Sequence, residues 1–226
     1  MKTVRFNPFY QVHQALRALL YHASITVQHT DFTQTEQVDR TILLMKQLVD
    51  FFEAHAHKED TMVFPLIAQA APALVADFEA QHVKDHQLGE ALESAITQCM
   101  TADSVTDKIL AGRHLQRTLN AFTAFNLEHM NAEETQVLEV LHREYTDEVL
   151  LEKEQEIVAK LTPEEKSFSG YWMLKGLAIH EIVDWYRKIQ ASAPPFVFDE
   201  FMELAERALS DEKLKTLHRS LQFTAA

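Results

Sequence analysis

Turn-forming residues are scarce in this sequence, which has 4 Gly and 6 Pro among its 226 residues. Folds built from many short strands need such residues at their tight turns, so the scarcity argues against those folds. Apolar residues instead recur over long stretches at the three- and four-residue spacing of amphipathic helices. With 46% apolar residues, the chain can also supply a core. The sequence therefore predicts an all-α protein made of long helices.

Four of these helices are predicted in the first 145 residues. Asn7 and Pro8 form a good N-cap and first helical residue for the first helix, and Pro65 kinks or ends the second. The predicted ranges are 7–28, 35–64, 72–100 and 104–145. Because amphipathic helices with short connections pack side by side, we expect an antiparallel four-helix bundle over residues 1–150.

The remaining residues, 151–226, are predicted to form a C-terminal helical extension. A charged helix is expected over residues 146–160. The sequence Thr162-Pro163-Glu164-Glu165 is a capping box with proline at the first helical position, so another helix begins there and runs to about Gln190. A proline-containing loop and two shorter helices complete the chain.

Charge and cysteine content limit the partners of this protein. Its net charge of -13 argues against general binding to nucleic acid or to anionic membranes, since both need a basic surface. The lone cysteine, Cys99, excludes an internal disulfide framework and favours a reducing compartment. We found neither a signal peptide nor an 18-residue apolar run. The expected location is the cytoplasm.

Twelve residues are histidine, and several of them continue the apolar faces of the predicted helices. His13 is in line with Leu16 and Leu20 on the first helix, and the other three helices carry histidines in the same way. His55 and His129 are each followed by a glutamate one turn later, Glu59 and Glu133. The residues placed on apolar faces are His13, His55, Glu59, His82, His86, His129 and Glu133.

A bound metal would explain why so many histidines and glutamates lie on helix faces that should pack in the core. Burying an isolated charge costs several kcal/mol, on the order of the stability of a small domain. Neutral imidazole and carboxylate are both good ligands for iron-like divalent metals. One HxxxE pair is a weak signal, but two such pairs and one HxxxH on successive helices form a specific one. The sequence therefore predicts these seven residues as metal ligands.

The other seven histidines are predicted to be surface or capping groups. His57 lies two residues after His55, about 200° around the helix, and so faces away from it. His180 and Asp184 form an HxxxD pair with no partner pair nearby, so we do not expect them to bind metal. The remaining members of this group are His22, His29, His114, His142 and His218.

The order of these motifs resembles the hemerythrin and HHE-domain family over about residues 8–145. The motifs are His13, then His55-Ala-His-Lys-Glu59, His82-Val-Lys-Asp-His86 and His129-Met-Asn-Ala-Glu133. The flanking sequences Glu59-Asp-Thr-Met-Val-Phe-Pro65 and Asp85-His86-Gln-Leu-Gly89 are also similar to that family. The HxxxE motif on the fourth helix matches bacterial HHE proteins rather than invertebrate oxygen carriers.

This resemblance implies a cofactor of two iron ions joined by an oxo or hydroxo bridge. One iron would be held by His82, His86 and His129, and the other by His13 and His55. Glu59 and Glu133 would bridge the two, with Glu134 as an alternative carboxylate. The second iron would keep an open position for a diatomic ligand such as O2 or NO. Other divalent metals would suit the same ligands.

Two functions remain open at this level. The first is a binding protein that takes up O2 or NO reversibly for storage or sensing. The second is a di-iron enzyme of oxidative or nitrosative stress defence, which consumes peroxide or NO or repairs iron centres. A ferritin-like site is disfavoured because only Glu79 and His82 match the ExxH motif. A purely structural helical module is the last alternative. We found no catalytic triad or phosphate-binding loop.

Overall fold

The computed structural model describes residues 5–222, and these residues are almost entirely helical, with no strand among them. The prediction of an all-α protein is confirmed. The helices are α1 (Tyr10–His29), α2 (Thr35–Lys58), π1 (Glu59–Val63), α3 (Phe64–Ile67), α4 (Pro72–Thr101), α5 (Val105–Ala132), π2 (Glu133–Val137), α6 (Leu138–Glu144), α7 (Asp147–Lys160), α8 (Pro163–Gly176), α9 (Ile179–Ser192), α10 (Pro195–Ala208) and α11 (Asp211–Gln222). None of the described helices is long and apolar enough to cross a membrane.

Local capping explains where several of these helices begin. The backbone N–H of Asp107 donates to the Ser104 hydroxyl at 3.0 Å, which starts α5. The predicted capping box before α8 is present, with Thr162 and Glu165 each accepting from the other's backbone N–H. The single helix expected from there to Gln190 is in fact two, because the backbone becomes extended at Leu177.

Two π-helical segments interrupt the predicted second and fourth helices. Each begins at the glutamate of an HxxxE pair and has the sequence Glu-x-Thr-x-Val. Thr61 donates its hydroxyl to the carbonyl of His57 at 2.7 Å, and Thr135 donates in the same way to Asn131 at 2.9 Å. Such π-helical turns are rare and occur frequently at functional sites. Because a π-helical turn is wider than an α-helical one, the side chains of these segments take directions that differ from those of a regular α-helix.

The chain divides into two compact units. Within the described residues, the first comprises 5–9 and Leu19–Ile157, and the second comprises Tyr10–Ala18 and 158–222. The boundary after Ile157 lies a few residues beyond the predicted end of the bundle domain at 150. No sequence pattern predicted that Tyr10–Ala18 would belong to the second unit.

The first unit has a buried apolar core, and α2, α4 and α5 each contribute apolar side chains to it. Helix α4 packs against α5 and also against α2. Burying a large apolar side chain contributes roughly 1.5–3 kcal/mol, so this core is a major source of the unit's stability. One cluster of this core contains Phe9, Val63, Phe64, Ile67, Val75, Phe78, Val137, Val140, Leu141 and Leu150.

Residues at the start of the described chain cap the end of α6 in the same unit. The Arg5 guanidinium donates to the carbonyl oxygens of His142 and Tyr145 and to the carboxylate of Asp147. The other Asp147 oxygen accepts from the backbone N–H of Phe6 at 3.0 Å. The last carbonyls of a helix lack intrahelical partners, and Arg5 supplies them here.

The second unit has its own core, formed where α8 packs against α10 and α9 against α11. Tyr186 is fully buried at its centre and donates its hydroxyl to the carbonyl of Phe201 at 2.6 Å. Burial raises the pKa of Tyr186, because the phenolate would be poorly solvated there. The core residues are Leu174, Leu177, Ile182, Val183, Tyr186, Leu204, Ala205, Ala208, Leu217 and Leu221.

Gly176 in the second unit is expected to tolerate no larger residue. A Cβ atom there would lie 2.2 Å from the backbone oxygen of Gln14, which cannot move aside like a flexible side chain. We expect Gly176→Ala to lower the free energy of unfolding by about 1–3 kcal/mol. Gly89→Ala is the matched control, since its Cβ would meet the Glu53 carboxylate at 3.4 Å and the Val49 side chain at 3.9 Å, both ordinary contact distances. That change should stabilise α4 by about 0.5–1 kcal/mol, measured by thermal unfolding.

Candidate metal centre

Both HxxxE pairs occupy equivalent positions in the first unit. His55 lies in the last turn of α2, and Glu59 is the first residue of π1. His129 lies in the last turn of α5, and Glu133 is the first residue of π2. His82 comes from the middle of α4. Each histidine and the glutamate that follows it are therefore one turn apart, with the helix geometry changing at the glutamate.

These five side chains form two groups that share both glutamates. In the first group, ligand atoms of His55, Glu59 and Glu133 lie within 4.8 Å of one another. In the second group, His82 and His129 lie within the same distance of the two glutamates. Groups of this size and composition can each hold one metal ion. Two shared carboxylates are the arrangement expected for a pair of neighbouring ions.

The shortest contacts in these groups join imidazole nitrogens to carboxylate oxygens. His55 Nε2 lies 3.1 Å from Glu59 Oε1, and His129 Nε2 lies 3.2 Å from Glu133 Oε1. His82 Nε2 lies between the two glutamates, 3.5 Å from Glu59 Oε2 and 3.9 Å from Glu133 Oε1. All three rings therefore turn Nε2 toward the carboxylates.

The donor set fits a cation. Glu59 and Glu133 are only 2% and 0% exposed, and two buried carboxylates this close together are costly unless positive charge lies between them. The Nε2 atoms of His82 and His129 are 3.1 Å apart. Two lone pairs at that distance repel each other, so a proton or a metal ion must separate them. A divalent metal satisfies both requirements at once.

The pKa of His82 reflects the carboxylates beside its ring. Burial alone favours its neutral form, but the carboxylates of Glu59 and Asp60 outweigh burial and raise the pKa of His82 to about 9. In the metal-free protein at neutral pH this imidazole is therefore protonated. Metal binding would displace that proton, so the affinity for metal should fall as the pH is lowered.

Phenylalanine rings pack around two of the imidazoles. Phe64 stacks on His82 with ring centroids 5.2 Å apart, and Phe125 stacks on His129 with centroids 5.9 Å apart. The ring of Phe78 also lies 5.6 Å from that of His129. These apolar neighbours restrict the rotation of both imidazoles and lower the polarity around them.

His86 is outside both groups, although the sequence placed it with His82 as a ligand. Its side chain is 60% exposed, and its Nδ1–H donates to Glu53 Oε1 at 2.8 Å. Its Nε2 lies 3.6 Å from Glu90 on the next turn of α4. A step of four residues moves a side chain about 6 Å along the helix, beyond the level at which His82 meets the glutamates.

His13 lies on α1, in the stretch of that helix that belongs to the second compact unit. Its side chain is fully buried, as its position on the apolar face predicted. A buried histidine needs a partner for each ring nitrogen, which is consistent with a ligand. Its role as a ligand stays a prediction.

The seven histidines predicted to be surface or capping groups are all exposed or half-buried. His57 is exposed, which confirms the helical register assigned to His55. His142 is half-buried and donates from Nε2 to the carbonyl of Phe6 at 2.8 Å. His114 is also half-buried, and the exposed ones are His22, His29, His180 and His218.

Sequence reasoning missed several polar residues beside the groups. Asp60 and Gln81 accept from the Nδ1–H groups of His82 and His129. Asp85 is buried and accepts from the Asn126 amide at 2.6 Å; burial raises the pKa of Asp85. The repeated Glu-x-Thr-x-Val sequence was the available signal for the π-helical segments, and through them for Asp60.

The described residues are almost entirely helical and bring histidines and two shared glutamates together in a buried cluster. These features are typical of metal-binding helical proteins. The family model described as Hemerythrin HHE cation binding domain matches residues 6–141. The chain belongs to this family. The match ends within α6, so it covers every predicted ligand. No curated protein and no solved structure matches the chain.

Proposed function

We propose that this protein is a non-haem di-iron protein that binds O2 or NO reversibly, for storage or sensing. The observation that carries the proposal is the sharing of Glu59 and Glu133 by two potential metal-binding groups. A single ion would not need both groups. The proposal includes the antiparallel four-helix bundle expected from the sequence as the scaffold of this site.

Each iron in this proposal has its own pair of histidines. Glu59 and Glu133 bridge the ions, His82 and His129 bind one of them, and His55 binds the other with His13. His86 is left out of the set, because its ring is engaged by Glu53 at the surface. With two histidines and two shared carboxylates for each ion, both ions keep room for an additional small ligand.

Reversible binding is favoured by the charge and surroundings of the proposed set. Two ferrous ions would supply the electrons that O2 or NO binding requires. Neutral imidazoles outnumber carboxylates among the ligands, which stabilises the lower oxidation state relative to an all-carboxylate site. The packed rings of Phe64 and Phe125 exclude water from one side of the imidazoles. Slow access of water limits irreversible oxidation.

Metal content and the absorption spectrum test this proposal together. The protein is loaded with ferrous iron without oxygen, its iron content per chain is measured, and air is then admitted and removed over several cycles. Two irons per chain with near-ultraviolet bands that return in each cycle support reversible binding. Oxidation that does not reverse, with turnover of peroxide or NO, would favour the enzyme alternative. A chain that binds no iron would contradict the proposal.

His86→Ala distinguishes the proposed ligand set, which leaves His86 out, from the set implied by the family resemblance. Because the His86 ring faces Glu53 and solvent, we expect the variant to keep two metal ions per chain. His82→Ala, one turn earlier on the same helix, should lose at least one ion. Metal analysis after gel filtration measures both. Loss of metal in His86→Ala at the level seen for His82→Ala would restore His86 to the ligand set.

A further inference from the structure

In the second group, the rings of His82 and His129 each donate a hydrogen bond from Nδ1, and their two acceptors differ in charge. The Nδ1–H of His82 donates to the Asp60 carboxylate at 2.7 Å, and the Nδ1–H of His129 donates to the Gln81 amide oxygen at 2.9 Å. Both acceptors therefore leave Nε2 as the nitrogen that faces Glu59 and Glu133. One acceptor is an anion and the other is neutral.

Asp60 reaches His82 because of the π-helical segment. Glu59 and Asp60 are adjacent in π1, yet they contact opposite nitrogens of the same ring, Nε2 at 3.5 Å and Nδ1 at 2.7 Å. The His82 ring is thus fixed between two consecutive side chains. Phe64, which follows π1 directly, stacks on its face. One short stretch of chain therefore sets the position, tilt and proton arrangement of this imidazole.

Gln81 acts on the other ring from the helix that carries His82. It is the residue immediately before His82 on α4, and its amide oxygen accepts from His129 on α5. The distance between the two Nε2 atoms, 3.1 Å, then depends on Asp60 and Gln81 together. A change in either acceptor would alter how the pair faces a bound ion.

We propose, building on the proposed di-iron function, that Asp60 and Gln81 are positioning residues that make the two histidine ligands of one metal ion unequal. The Asp60 carboxylate draws the Nδ1 proton of His82 toward itself and so makes Nε2 the stronger donor to metal. The Gln81 amide fixes the proton of His129 without adding charge. His82 then binds the ion more tightly than His129 does.

Zinc(II) is a suitable probe, because it is diamagnetic and does not react with air. Its dissociation constant is measured by competition with a chelator for the full-length wild type, Asp60→Asn, Asp60→Ala and Gln81→Glu. Asp50→Asn is the matched control, since Asp50 is an exposed aspartate on α2. We expect Asp60→Ala to weaken binding about 10–100-fold, as loss of a carboxylate that accepts from a metal-bound histidine does, and Asp60→Asn to fall between it and the wild type. Gln81→Glu should strengthen binding.

The Nδ1–H signals of the two rings provide a readout that a merely structural role would not move. In the zinc-loaded protein, proton NMR should give a hydrogen-bonded signal for each. The His82 signal should disappear from Asp60→Ala and move to higher field in Asp60→Asn, while the His129 signal moves to lower field in Gln81→Glu. Asp50→Asn should change neither.

The outcomes separate this inference from the proposed function. If the wild type binds neither zinc nor iron, the proposed function fails and this inference fails with it. If the wild type binds metal but both Asp60 variants bind it equally well, with the His82 signal unchanged, the inference alone is overturned. The same holds if Asp60→Asn and Asp60→Ala weaken binding only by unfolding, which far-ultraviolet circular dichroism would reveal.

Discussion

Replacing Glu133 with alanine is expected to empty the proposed metal centre, lowering the content from the proposed two ions per chain to none. Glu133 belongs to both ligand groups, and its side chain is fully buried. Its removal leaves each ion one carboxylate short and leaves one negative charge fewer to offset two divalent cations. Glu133→Gln should give a similar loss, because an amide of the same shape is a poor ligand for a divalent ion. Metal analysis after gel filtration measures the effect.

His57→Ala is the control for this experiment. His57 lies beside the site in sequence, two residues after His55, but its side chain is exposed. The variant should keep two ions per chain. If it lost metal while Glu133→Ala kept both ions, the groups that share Glu133 would not be the metal site.

Helical periodicity was sufficient to predict the placement of both His-Glu pairs that enter the candidate groups. His55 and Glu59, like His129 and Glu133, are one turn apart on an apolar face, and such faces are buried whatever the details of packing. The exposed position of His57 follows from the same periodicity. These features depend on a single helix at a time, so a sequence without any structural information contains them.

The features that could not be predicted depend on contacts between helices or on local departures from helical geometry. His86 shares the face of His82, but Glu53 on α2 accepts a hydrogen bond from it at the surface, which no pattern within α4 indicates. Asp60 should point well away from Glu59 in a regular helix, and it meets the same ring only because π1 departs from that geometry. The break between α8 and α9 after Gly176 also comes from a local change, the extended backbone at Leu177.

Removal of metal is expected to destabilise the first unit strongly. A ligand present at about 1,000 times its dissociation constant stabilises the folded state by about 4.1 kcal/mol, provided that it does not bind the unfolded chain. For a chain of this size, 1 kcal/mol corresponds to about 2–4 °C in the midpoint of thermal unfolding. We therefore expect the metal-free protein to unfold about 8–16 °C below the metal-loaded one in scanning calorimetry.

Glu133→Ala distinguishes a specific effect of the site from a general effect of metal on the chain. In the metal-free wild type, Glu59 and Glu133 are buried close together, and this cost is relieved when cations bind between them. The variant lacks one of these carboxylates, so its midpoint should be the same with and without added metal. A wild type whose midpoint is also insensitive to metal would mean that the buried histidines and glutamates are tolerated without it, and the chain would then be a purely structural helical module. A shift that persisted in Glu133→Ala would place the stabilising ion elsewhere on this acidic chain.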